Sequence, residues 1–95
     1  MVKKSLKKMD ENLEALSKEI GKVGPATRGS VVLIGTKTKQ YYLSVKVNAK
    51  TRIIFLGKKR VGKAREYLKN YTRILEIIEK MTYIVIKRLR EAEPD

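Results

Sequence analysis

An α+β arrangement is what this chain predicts: an N-terminal helix, a three-stranded antiparallel meander and a long C-terminal helix, in the order α-β-β-β-α. Three observations lead there. Apolar residues recur every three or four positions near both ends of the chain. Between them, short runs rich in Val, Ile and Tyr are separated by polar turns, the pattern of strands and hairpins. The total of 95 residues suits one domain with a modest core, spanning 1–95.

The first helix is expected over residues 2–23. Val2, Leu6, Met9, Leu13, Leu16, Ile20 and Val23 alternate spacings of four and three, a heptad-like stripe. The stripe suits a core-facing helix and a coiled-coil seam equally. Gly21, Gly24 and Pro25 end it, and residues 26–30 form a loop.

The sheet is expected over 30–57. Val31 to Ile34 reads as a short apolar strand, and Gly35 to Lys39 as a polar turn carrying Lys37 and Lys39. Tyr41 to Val47 alternates apolar residues (Tyr41, Leu43, Val45, Val47) with more polar ones (Tyr42, Ser44, Lys46), the period-two pattern of a central strand. A three-residue turn, Asn48-Ala49-Lys50, pairs Val47 with Thr51, Val45 with Ile53 and Leu43 with Phe55, gathering the apolar side chains on one face. A two-residue connection mixes the faces, because a slip of one residue turns every side chain over. The three-residue turn sets Lys46 opposite Arg52 on the outer face. Like charges across a ladder are unfavourable, and an anionic partner relieves them.

The last helix is expected over 61–91, after a basic loop. Ala64, Tyr67, Tyr71, Ile74, Ile78, Met81 and Val85 continue the three-four spacing, widened by Leu68, Leu75 and Leu89, with Ile77 and Ile84 beyond. Some thirty residues of helix span roughly 45 Å, more than the width of a domain this small. Part of the stripe is therefore expected against the first helix and part against a second copy, making a homodimer. Thr82 to Ile86 is rich in β-formers and is where a break in the helix would fall. Residues 91–95 are expected to fray.

Charge is unevenly spread. The net charge is +13, and residues 20–65 carry twelve Lys or Arg and no Asp or Glu, while both flanks are nearly balanced. A one-sign block on a sheet reads as a footprint for a polyanion. There is no Cys and no His, so thiol and imidazole chemistry and the usual zinc ligands are absent; no metal or cofactor is expected. No apolar run approaches the roughly 18 residues of a membrane span, and no signal peptide is visible, which points to a cytoplasmic protein. One Gln and three Asn among abundant Lys, Ile and Val lean thermophilic.

Gly57 to Ala64 matches G-x-x-x-x-G-K, the phosphate-loop pattern. Its next position should carry a hydroxyl for magnesium and is Ala64, and the preceding strand belongs to a hairpin. A nucleotide-binding loop is therefore not expected, although a helix start ringed by Lys58, Lys59, Arg60 and Lys63 suits a backbone phosphate.

Two resemblances follow from particular residues. Arg28-Gly29-Ser30-Val31, Tyr41-Tyr42-Leu43-Ser44, Val47 to Arg52 and Asn70-Tyr71 resemble an uncharacterised domain family of archaea and bacteria. That family has a GS-strand, a cysteine-containing loop, a YYLS-like strand, a VNGKTR-like turn and a long helix with an NY pair. Here its Cys and His positions are missing, the loop is shortened to Gly35 to Gln40, and Ala49 stands at the turn glycine. The resemblance implies a fold more than a function. More loosely, three strands, Leu56-Gly57 and a basic helix start at Ala64-Arg65 are similar to the arm-type DNA-binding domains of tyrosine recombinases, which lay a sheet in the major groove.

The expected function is non-enzymatic nucleic-acid binding, with duplex DNA favoured. Tyr42, Ser44, Lys46 and Arg52 would face the groove, and Lys37, Lys39, Lys50, Lys58, Lys59, Arg60 and Lys63 the phosphates. Single strands are less favoured because Tyr42 alone offers an outward ring. The alternative is an assembly protein of a mobile element or virus acting through its heptad helices.

Overall fold

The computed structural model describes residues 2–91, with side chains from Leu6 onward. Helix α1 (Val2–Lys22) is followed by strands β1 (Ser30–Ile34), β2 (Gln40–Val47) and β3 (Lys50–Phe55) and by helix α2 (Gly57–Glu91). The α+β arrangement and the element order are those expected from the sequence. The strands form one antiparallel sheet with β2 in the centre. The five expected-to-fray residues from 91 onward lie outside the described part, except Glu91 itself, which ends α2.

The chain divides into two compact units: residues 1–23 with 73–95, and Gly24–Thr72. The first is a pair of helical segments. Ion pairs Asp10–Arg88 and Glu19–Arg73 join them and show that they run antiparallel. Both pairs are exposed, so they set alignment more than stability. Ile77 is fully buried and Met9 nearly so, and Ile74, Met81 and Ile84 lie half-buried on the same stripe. The packed stripe is thus Ile74, Ile77, Met81 and Ile84. The expected stripe used Ile78 and Val85 instead, and both are exposed, at 44% and 39%. Helix α2 runs unbroken through Thr82–Ile86. The Thr82 hydroxyl donates to the Ile78 carbonyl (2.8 Å), which accommodates this β-former inside a helix.

The second unit holds the sheet and the start of α2. Tyr41 and Leu43 of β2 face that helix: the Arg65 guanidinium sits over the Tyr41 ring at 5.4 Å, and a hollow is lined by Leu43, Leu56, Ala64 and Tyr67. Leu56 and Ala64 are buried. The entry loop is tied to α2 by Thr27 N–H donating to the Tyr67 carbonyl (3.2 Å) and by Asn70 Nδ2 donating to the Pro25 carbonyl (2.9 Å). Gly29, with φ of 118°, lies so close to β2 that a Cβ would stand 2.6 Å from the Ser44 carbonyl oxygen. Only glycine fits there.

The hairpin differs from expectation. The β2–β3 turn has two residues, Asn48 and Ala49, with φ of 52° and 63°. Val47 pairs with Lys50, Lys46 with Thr51, Val45 with Arg52, Ser44 with Ile53, Leu43 with Ile54 and Tyr42 with Phe55. Positive φ at both central residues is the type I′ arrangement, whose twist matches that of the strands. Turn geometry set the register because β3 reads Ile53-Ile54-Phe55-Leu56, apolar on both faces, so burial discriminates weakly between the two registers. Lys46 therefore does not oppose Arg52. Helix α2 also starts four residues earlier than expected, so Lys58 to Arg60 form its first turn and not a loop.

Alanine in the left-handed region carries a steric cost that glycine avoids. Ala49→Gly should stabilise the protein by about 1 kcal/mol, raising the melting temperature by roughly 4–8 °C. Thermal unfolding followed by circular dichroism checks this; an unchanged or lower midpoint would contradict the turn geometry.

Candidate nucleic-acid interface

Alternation along the strands and the pairing across them define two faces of the sheet. The inner face, toward α2, carries Val31, Leu33, Tyr41, Leu43, Val45, Val47, Lys50, Arg52 and Ile54. The outer face carries Ser30, Val32, Ile34, Gln40, Tyr42, Ser44, Lys46, Thr51, Ile53 and Phe55. At its centre Val32, Tyr42 and Phe55 lie in one row across the three strands. The Tyr42 and Phe55 rings meet edge to face, with centroids 5.5 Å apart and planes inclined by 65°.

The expected site residues are distributed as follows. Tyr42, Ser44 and Lys46 share the outer face, as the sequence suggested. Arg52 lies on the opposite face, as does Lys50. Lys37 and Lys39 are exposed on the β1–β2 connection. Lys58 and Lys59 are exposed on the first turn of α2. Phe55, which the sequence placed inside, is a member of the outer face and 49% exposed. The Asn48-Ala49 pair between the two strands was the signal that could have found it, because Asn readily takes the left-handed conformation that a two-residue hairpin turn requires.

Two of the basic residues are occupied. Arg60 donates from Nη2 to the Phe55 carbonyl (2.5 Å) and from Nε to the Leu56 carbonyl (3.4 Å). It therefore closes the junction between β3 and α2. Lys63 pairs with Glu66 at 3.0 Å and sits 5.5 Å from the Tyr67 ring centre. The hydrogen bond to Glu66, and then the Glu66 charge, hold the Lys63 ammonium above its ordinary range. Because the folded state favours the protonated form, this small contribution is present at neutral pH and is lost only as pH rises above the usual lysine range. Lys63 stays charged wherever nucleic acid would be bound.

The phosphate-loop match is not a loop. Gly57 to Ala64 is helical throughout, and Ala64, at the position where that motif needs a hydroxyl, is buried. Among the described residues no group of three His, Cys, Asp or Glu could hold a metal ion, and no helix is long and apolar enough to cross a membrane.

No family model, curated protein or solved structure matches the chain. The two resemblances drawn from the sequence therefore stand as expectations.

Arg60 and its neighbour separate structure from binding. Arg60→Ala should destabilise the fold by about 1 kcal/mol, since two strand-end carbonyls lose a charged donor at an exposed site. Lys59→Ala, on the exposed side of the same turn, should stay within about 0.5 kcal/mol. Parallel urea titrations of the two variants check the contrast.

Proposed function

We propose that the sheet unit binds nucleic acid through its phosphate backbone, without catalysis. The segregation of charge carries this reading. Residues 24–72 hold twelve of the 23 basic residues and only one of the ten acids, Glu66, which is paired with Lys63. A surface serving solubility alone interleaves both signs. Here Lys37, Lys39, Lys46, Lys58 and Lys59 are exposed, on the outer face, on the connection at one end of it and on the helix start that follows β3. Neutralising phosphates with such side chains releases counterions, so binding should weaken steeply with salt.

The sequence favoured duplex DNA on the fit of a two-stranded ribbon to the major groove, and set single strands second on the ground that Tyr42 alone offered an outward ring. With Phe55 on the same face, the objection to single strands is gone.

The helix unit supports a second activity, self-association into a homodimer, which is also what an assembly protein would use. Leu75, Ile78, Val85, Ile86 and Leu89 are all exposed and recur at helical spacing beside the packed stripe. Large contiguous apolar patches are rare on monomers, and two-fold pairing is the commonest way to cover them.

Two measurements test the two surfaces. In anisotropy titrations against a labelled oligonucleotide over a range of salt, Lys46→Ser should weaken binding and flatten the log–log salt slope by roughly 0.7–0.9, one phosphate contact. Arg52→Ser, on the other face, should change the slope less. Equal effects would mean that the outer face is not the contact surface. In light scattering at micromolar concentration, the parent should exceed the 10.9 kDa monomer mass. Replacing Ile78 and Val85 by Lys should yield folded monomers, because both side chains are already exposed within the chain. A monomeric parent would remove the dimer.

A further inference from the structure

Resting on the nucleic-acid reading of this surface, we infer that the bound strand is single and that its bases stack on Tyr42 and Phe55 at the centre of the outer face. The chemistry of that face decides. Val32, Tyr42, Ile53 and Phe55 make its middle apolar and Ile34 extends it to the end of β1, with Ile34, Ile53 and Phe55 all more than 40% exposed. A duplex offers phosphates and groove edges, and pressing these against apolar side chains strips water from charged and polar groups without replacing it. An unpaired base offers a flat π-face, for which an apolar ring is the matching surface.

The ring geometry points the same way. Base pairs in a duplex are parallel, whereas the Tyr42 and Phe55 planes are inclined by 65°. Two bases received by these rings must leave a common stack, which a flexible single strand permits. Charge complements the rings along the strand direction. Lys46 lies on the outer face four residues from Tyr42 at one end, and Lys37 and Lys39 lie on the connection beyond Gln40 at the other. From Lys46 to Gln40 is roughly 20 Å of strand, a track of lysine, rings and lysine for a backbone with its bases turned inward.

Gly57, the first residue of α2, lies beside the Phe55 ring. Its φ of 67° favours glycine, and a Cβ there would stand 3.3 Å from the Phe55 ring. A side chain there would press on the ring by a few tenths of an ångström.

The test uses the full chain and labelled oligo-dT, oligo-U and a duplex of matched length, followed by anisotropy at low and near-physiological salt. Both single strands should bind about tenfold or more tightly than the duplex at the higher salt; comparing dT with U separates DNA from RNA. Phe55→Leu, which keeps an apolar strand residue, should weaken single-strand binding about tenfold and leave duplex binding unchanged. Tyr42→Leu, read the same way with circular dichroism as the folding control, serves if Phe55→Leu fails to fold. Duplex binding as tight as single-strand binding, with both variants unaffected, would overturn the inference and leave the nucleic-acid reading standing. Loss of self-association in Phe55→Leu without loss of oligonucleotide affinity would also overturn it, assigning the face to a second copy. No binding to any oligonucleotide at low salt would overturn both readings.

Discussion

Two backbone angles govern what this protein shows to its surroundings. Asn48 and Ala49 both take positive φ, which closes the β2–β3 hairpin with two residues and fixes which residues of β3 meet which of β2. Shift that register by one and Ile53 and Phe55 turn inward while Ile54 and Leu56 turn out. Leu56 is one of the few buried residues and donates its N–H to the Tyr41 carbonyl at 2.9 Å, extending the ladder past Phe55. The turn thus seats Leu56 under α2 and places Phe55 beside Tyr42 by the same act. Arg60 then holds the Phe55 and Leu56 carbonyls from the first turn of α2, so the residue that sets the outward ring is fixed at both ends.

An outward aromatic pair on a strongly basic unit is an unusual combination to leave in water. Apolar exposure favours association, while net positive charge opposes association with another copy of the same unit. A polyanion with planar apolar groups would resolve both: its charge would neutralise the lysines and its bases would cover the rings. The helix unit is different. It is nearly balanced, with eleven basic residues against nine acids, and its exposed stripe of Leu75, Ile78, Val85, Ile86 and Leu89 has no comparable charge barrier. On the proposed reading, self-association would belong to the helices and ligand binding to the sheet, a division that the charge distribution favours.

Much of this was legible in the residues, and the parts that were not share a cause. The element order, the central position of β2, the polar connection at Gly35 to Lys39 and the concentration of charge on the sheet all followed from spacing and composition. Register did not, because Ile53-Ile54-Phe55-Leu56 is apolar at every position and gives no face preference. The same ambiguity affected α2. Ile77 and Ile78 are adjacent and chemically equal, and spacing could not tell that Ile77 is buried and Ile78 is not. Asn70 and Gly29 were visible only as parts of a resemblance. The structure gives each a physical role: Asn70 anchors the Pro25 carbonyl, and Gly29 lets the chain approach Ser44.

The limits of charge as a guide are clearest at α2. Four basic residues stand near its start, and by count alone they make a phosphate site. All four are exposed, but Arg60 is committed to the Phe55 and Leu56 carbonyls and Lys63 to Glu66, leaving Lys58 and Lys59 as the pair without such a partner among the described residues. On the sheet the count misleads in a different way, since Arg52 and Lys46 are near neighbours in the hairpin but lie on opposite faces. What distinguishes a binding residue here is therefore its face and its existing partners, not its sign. By that criterion Lys46 is the strand residue that combines an exposed basic side chain with the face that carries the rings, and on the proposed reading phosphate contact and base stacking would meet there on the same strand.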